Sequence, residues 1–415
     1  MKSVAVQARL WALLVCQCVL VAGLALSYPF FALYLHRMRG LPMGWVGAAL
    51  SLMLASTALG QVLAGELSDI IGCKRVMEAS VASRSMMVAL MAWAMARQAP
   101  IAALVCLHVL AGFCGSFYDS AVRAWIASAL PPRERLLGYG RLRVAINLGW
   151  ALGPALGGVM AEHSYPLLFA ASGVACLVCL GLVHWTVSDI PRLRPESHFS
   201  WGELWSVSAD ARFTRFCGYG LLISMVMAQL TVALAVHSVR YVGLTEAQVG
   251  LLFTLNGAVV VLTQTSISRG LRRVRLSAML ALGSLFYAAG YGWAGFAPSF
   301  ALMAVAVTVV TLGEVTVSPA LQTLAANLAP EKLKGRYMGF QGLGIQLGAA
   351  CGPLVGGLGL QLLSPRWSPG PWLIIAALGV LAALGFKRFG KELREDEDGL
   401  PPAGLHSEGM MEVLT

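Results

Sequence analysis

Gly149-Trp-Ala-Leu-Gly153-Pro154-Ala-Leu-Gly157-Gly158 returns 199 residues later as Gly348-Ala-Ala-Cys-Gly352-Pro353-Leu-Val-Gly356-Gly357. The register holds upstream as well. Pro131 answers Pro330, Arg133 answers Lys332, Arg135 answers Lys334, Gly140 answers Gly339 and Ile146 answers Ile345. Both copies sit in long apolar stretches, so the repeat belongs to helices. The chain therefore consists of two related halves. In a membrane protein, two homologous halves point to a transporter with its site at the seam.

The composition demands a membrane. Hydrophobic residues make up 58% of the 415 and charged residues 12%, against about 25% charge in soluble domains. Apolar segments cover roughly 10–35, 42–66, 76–95, 101–128, 138–160, 166–188, 213–237, 247–268, 276–295, 300–328, 336–361 and 371–386. Each approaches or exceeds the ~20 residues a helix needs to cross. The expected fold is an all-α integral membrane protein with twelve transmembrane helices in two six-helix, pseudo-symmetric halves. The halves are 1–188 and 213–389. A linker, 189–212, joins them and carries a short interfacial helix over 199–205, with Trp201 and Trp205 on its apolar side. The polar tail 390–415 is expected to be disordered.

The basic residues decide the orientation. Of the 30 Lys and Arg, 24 fall at the termini or in alternate loops on one side. Five, Arg37, Arg39, Arg97, Arg240 and Arg366, fall on the other side, and Arg84 lies within a span. This bias places both termini in the cytoplasm, and the expected location is the plasma (inner) membrane. It also argues that the net charge of +10 serves topology and not nucleic-acid binding. The first apolar run is too long for a signal-peptide core. Eight of the nine Cys lie in spans, and Cys176-x-x-Cys179 reads as packing. No nucleotide-binding glycine loop, metal-ligand spacing or Ser/His/Asp set occurs, so neither enzyme activity, cofactor nor metal is expected.

After the second span the chain reads Gly65-Glu-Leu67-Ser-Asp69-Ile-Ile-Gly72-Cys-Lys74-Arg75. With the topology, this resembles the major facilitator superfamily, whose corresponding loop is G-x-L-[AS]-D-[RK]-x-G-[RK]-[RK]. Ile70 and Cys73 replace the usual basic residues. The resemblance implies a latch of the outward-facing state formed by Gly65, Asp69, Gly72, Lys74, Arg75, Asp119 and Arg123. Asp69 would face the N-terminus of the eleventh helix, and Asp119 and Arg123 are four apart on one helical face.

The fifth-span element resembles the antiporter motif of the drug:proton antiporter branch. It implies a hinge of Gly149, Gly153, Pro154, Gly157 and Gly158, with Gly348, Gly352, Pro353, Gly356 and Gly357 as its counterpart. That branch usually opens span four with R-x-x-x-G; here His108 replaces the arginine, four residues before Gly112. In this fold, helices 1, 4, 7 and 10 line the cavity. The resemblance thus implies Gln17, Tyr28, His108, Gln229, Asn256 and Glu314 as cavity residues. Glu314 lies about midway along span ten, where a carboxylate costs several kcal/mol unless protonated or partnered. Glu314, His108 and Asp119 are the proton-coupling candidates. The expected function is proton-coupled efflux of amphipathic small molecules by alternating access, with protons and the bilayer as partners and a monomer as the working unit. A solute importer, a lipid translocator and, less favoured, a transport-dead sensor are the alternatives.

Overall fold

The computed structural model describes residues 2–130, 132–188, 205–270, 274–330 and 333–399. Regular structure in them is helical throughout. In the first half, α1 (Lys2–Leu33), α2 (Met43–Ile71), α3 (Cys73–Ala96), α4 (Ile101–Ala129), α5 (Pro132–His163) and α6 (Tyr165–Thr186) follow one another. In the second, α7 is split into α7a (Ala211–Met227) and α7b (Ala233–Arg240). Then come α8 (Glu246–Gly270), α9 (Leu276–Ala294), α10 (Phe300–Leu328), α11 (Lys334–Leu362) and α12 (Gly370–Phe389). Ten of these are long and apolar enough to cross a membrane. The other two are the divided α7 and the 19-residue α9.

The packing repeats with the sequence. In the first half α1 packs on α5 and α6, α4 on α2 and α3, and α3 on α6. In the second, α7a packs on α11 and α12, α10 on α8 and α9, and α9 on α12. Two seams join the halves: α5 against α8 and α11 against α2. Large apolar side chains also face outward, such as Trp185 at 83% and Leu262 at 75% exposure. In a twelve-helix bundle of this composition that outer surface is the lipid-facing one.

Local chemistry explains where helices stop or bend. The expected loop after span two shrinks to one residue. Gly65 and Asp69 lie inside α2, and only Gly72, at φ +95°, separates α2 from α3. Any residue with a β-carbon would be strained there. Pro29 removes a helical donor near the end of α1, and the helix closes with a π-turn at Tyr34–Met38. The break in α7 falls where Gln229 and Thr231 carry side chains that compete for backbone carbonyls. Gln229 Nε2 donates to Met225 O at 2.8 Å and to Gly352 O at 2.9 Å.

The interfacial helix expected over 199–205 falls almost wholly outside the described residues; Trp205 is described and meets Phe340 edge-on. The tail expected to be disordered from 390 is ordered as far as Gly399. There Asp398 accepts from Ser277 N and Oγ, both at 2.7 Å, and so caps α9. Glu397 pairs with Arg212, and its backbone carbonyl accepts from Asn327 Nδ2 at 2.9 Å. The acidic run finds the N-terminus of α9 and arginines at this end of the second half, which composition alone does not show. Residues 400–415 lie outside the described residues.

Candidate functional site

The repeat motif is two-faced, and each face is set by missing β-carbons. Gly149, Gly153 and Gly157 press α5 onto Val21, Ala22, Ala25 and Leu26 of α1. Gly348, Gly352 and Gly356 press α11 onto α7 at Leu221, Ser224, Ala228 and Gln229. The remaining members turn to the opposite half. A β-carbon at Gly158 would lie 2.5 Å from Glu246 O and 2.8 Å from Ala247 Cα on α8. Gly357 meets Met43 of α2 in the same way, and the carbonyls of Pro154 and Pro353 abut Gly250 and Gly47. The motif therefore sets how closely each helix approaches both its own half and the other. Small residues are what permit such backbone-to-backbone contact.

These seams converge on the face away from the termini, where polar groups also bridge the halves. Arg37 Nη1 donates to Glu246 Oε1 at 2.6 Å, and Tyr165 Oη donates to the same oxygen at 3.3 Å. Gly44 N donates to Gln361 Oε1 at 2.7 Å, and Ala247 N to Glu162 Oε1 at 3.1 Å. His36 and Arg240 are in contact beside them.

Below this seal lies a cavity of about 440 Å³ lined by α1 to α7 and α11. Tyr28, His108 and Asp119 line it together. His108 stacks on Phe31 with ring centroids 4.1 Å apart. Its Nε2 is buried without a hydrogen-bond partner among the described residues. Asp119 does not pair with Arg123; Oδ1 accepts instead from Gln17 Nε2 at 3.2 Å, while Arg123 is exposed. The i,i+4 spacing allowed the pair, but Asp119 turns inward and Arg123 outward. Gln17 is thus a positioning group beside the cavity wall. Gln229 packs α7 to α11 and does not line this cavity.

Asn256 and Glu314 line a second space of about 180 Å³ that shares Trp150, Met227 and Thr231 with the first. Asn256 Nδ2 donates to Glu314 Oε2 at 3.1 Å and to Thr311 Oγ1 at 2.8 Å. The six expected cavity residues are therefore divided: two in the main cavity, two in the side space, and Gln17 and Gln229 outside both as hydrogen-bond holders. Among the latch residues, Lys74 Nζ donates to His184 O at 2.7 Å and lies 3.8 Å from Glu78. Arg75 is exposed. The side chain of Asp69 lies outside the described residues.

The sequence of the second span's end, the repeat and the twelve-helix packing agree with a sequence profile. The Major Facilitator Superfamily profile matches residues 13–239 and again 216–407. The chain belongs to the major facilitator superfamily. The profile's two matches restate the internal repeat. Among relatives, the chain is 27% identical over 344 residues to the uncharacterized MFS-type transporter YttB of Bacillus subtilis (strain 168), covering 81% of this chain and 85% of that one. It is 26% identical over 381 residues to the multidrug resistance protein MdtH of Aeromonas salmonicida (strain A449), covering 90% and 93%. The fold resembles a point mutant of the nucleoside transporter NupG with a TM-score of 0.80 at 11% identity, covering 92% of this chain and 99% of that one. It also resembles a POT family transporter in complex with 5-aminolevulinic acid, with a TM-score of 0.76 at 13% identity, covering 92% and 96%. This superfamily member is a multi-pass membrane transporter and not an enzyme.

The cavity also holds Arg84, which the sequence shows only as a lone charge within a span. Arg84 projects from α3, a helix packed on α4 and α6 and not expected to face the centre. It nevertheless lines the cavity, because Gly115 on α4 leaves a gap: a β-carbon there would lie 2.7 Å from Arg84 Cζ. The signal available in the sequence was the lone arginine in a span. Its direction depended on a glycine 31 residues away. Trp150, between the two spaces, and the Arg37–Glu246 bridge escaped for the same reason.

Proposed function

We propose that this transporter is a proton-coupled exporter of amphipathic small molecules that works by alternating access. The observation that carries the reading is a largely apolar cavity beneath a sealed face, joined to a side space holding the Glu314 carboxylate. The similarity to a multidrug resistance protein supports the direction. Glu314 is the main proton-coupling residue of the proposal. Its described hydrogen-bond donor is one amide, so a proton is the simplest compensation for its charge in a span. His108 and Asp119 are the further candidates, as groups that can exchange protons with water in the cavity.

In this scheme the two halves rock about the α5–α8 and α2–α11 seams. Gly158 and Gly357 set the closed contact at the face away from the termini. The Gly65–Arg75 segment, with Asp119 and Arg123, latches the other end in the opposite state. The basic face is cytoplasmic, both termini lie in the cytoplasm, and the membrane is the inner one. The units that move are 1–188 and 213–389, joined by 189–212, and a single chain suffices.

Everted membrane vesicles loaded with a pH-sensitive dye test this. Wild type and Glu314→Gln are energised and then given lipophilic cations, neutral drugs and lysolipids. Cargo-dependent proton release in wild type, lost in Glu314→Gln, is expected. Export that persists after the proton gradient is collapsed would sink the coupling. An unchanged response in Glu314→Gln would return that residue to a packing role.

A further inference from the structure

The main cavity holds a guanidinium that no carboxylate among the described residues engages directly. Arg84 makes no ion pair among the described residues, and its Nε is buried without a hydrogen-bond partner. Asp119 lines the same cavity, yet no ion pair joins them, and Asp119 Oδ1 is engaged by Gln17. His108 Nε2, also unpartnered, belongs to the same wall. Apart from hydroxyls such as those of Tyr28, Thr57 and Thr231, the rest of the wall is apolar and adaptable, with Met53, Met91 and Met227 among its members. An arginine left without a partner away from bulk water carries a large desolvation cost. A structural arginine would be expected to recover that cost by pairing. A ligand-binding arginine leaves its fork open, and the fork matches the two oxygens of an oxyanion.

We infer that Arg84 is the anion-recognising residue of the central cavity, and that the cargo of this transporter carries a carboxylate or similar oxyanion on an apolar body. This rests on the efflux reading for the direction of movement but not for binding. Gly115 is the positioning residue, because its missing side chain lets an arginine from an outer helix reach the centre. Asp119 opposes the bound anion, so neutralising it strengthens binding of an acid. Proton coupling by Glu314 stays separate, in the adjoining space.

The test uses the full chain in nanodiscs of zwitterionic lipid, with three fluorescent probes that share one body. They are dansylaminoundecanoic acid, its methyl ester and the corresponding primary amine. At neutral pH wild type binds the acid at least about tenfold more tightly than the ester, the worth of one charge-assisted bond pair. Arg84→Gln brings the acid down to the ester's affinity, and Arg84→Lys keeps part of the preference. Gly115→Ala pushes aside a flexible guanidinium and not backbone, so the chain stays folded. It lowers acid affinity several-fold and leaves the ester unchanged. Asp119→Asn raises acid affinity. Equal binding of acid and ester by wild type overturns the inference, as does a monodisperse Arg84→Gln protein that still prefers the acid. Export of the ester from vesicles reports on efflux independently, because the ester needs no Arg84. Its export alongside unselective binding sinks the anion site alone. Absence of export for every probe sinks the efflux reading, while the binding comparison still decides the role of Arg84.

Discussion

Replacing Gly158 by Ala adds one methyl group at the seam between the halves, and the structure gives the size of the effect. The new carbon would lie 2.5 Å from Glu246 O and 2.8 Å from Ala247 Cα, where contacts below 3.4 Å are already tight. Both neighbours are backbone, so no side chain can rotate away. The helices must separate by roughly 1 Å, and overpacking of this kind costs about 1–3 kcal/mol. Helix propensity works the other way, since Ala is favoured over Gly by about 1 kcal/mol. Gly140→Ala on the same helix isolates that gain, because nothing lies within 4 Å of a β-carbon there. The cost falls on the state in which this face is closed, so the substitution shifts the population toward its opening. The assay replaces the nine native cysteines, places a reporter cysteine at Thr231 and times its reaction with an impermeant maleimide supplied from the face away from the termini. Gly158→Ala should speed labelling by about tenfold, the equivalent of 1.4 kcal/mol. Gly357→Ala should act alike at the α2–α11 seam, and Gly140→Ala should leave the rate unchanged. Labelling of Gly158→Ala at the Gly140→Ala rate would refute the claim that this glycine sets the closed contact.

Further predictions concern the seal and the ordered tail. Arg37→Ala leaves the Glu246 carboxylate, only 9% exposed, with Tyr165 as its remaining side-chain partner. Arg37 is half exposed, so a stability loss of about 1 kcal/mol is expected, read as a lower melting temperature together with faster labelling of the Thr231→Cys reporter; no change in either would remove the pair from the seal. Asp398→Ala removes the cap on Ser277 N and Oγ and should cost about 1 kcal/mol. Hydrogen exchange at the start of α9 would rise, and unaltered protection would show that the cap is dispensable. For Glu397, burial pushes the carboxyl up, but hydrogen bonds from Arg212 and from the Arg394 N–H outweigh it and hold it below its ordinary value. The folded form binds its proton less readily than the unfolded, so the docking it contributes is complete above the ordinary carboxylate range. It is lost as pH falls through the lowered value. Protection of 390–399, taken relative to the intrinsic exchange rate at each pH, should therefore fall only in acid, and a loss of protection on raising the pH instead would contradict the sign.

How much of this was legible beforehand depends on the kind of residue. Gly72 could be named as a turn because a glycine between two apolar runs has few other uses, yet the sequence suggested a loop where one residue suffices. Gly153 and Gly158 are both small and five apart, so both read as packing positions. Only the bundle separates them, one onto α1 and the other onto α8. Asp119 and Arg123 matched a helical spacing and are nonetheless apart, because a spacing states which groups can meet and not which way they point. Arg84 was visible as a lone charge, but its access to the centre required Gly115 to lie beside it.

By itself the sequence determined the membrane, the twelve spans and the division into two related halves, and it carries the charge bias behind the proposed orientation. These follow from quantities that accumulate along the chain: hydrophobic length set against bilayer thickness, the side on which basic residues fall, and a repeat in register. The tertiary structure alone decided which polar groups share a space. It sent Tyr28, His108, Asp119 and Arg84 to one cavity and Asn256 and Glu314 to another, and left Gln17 and Gln229 as supports. The reason is physical. Burial inside a bundle depends on the rotation of each helix about its axis, and that rotation is fixed by contacts such as Gly115 against Arg84 and Gly158 against Glu246, between residues far apart in the chain.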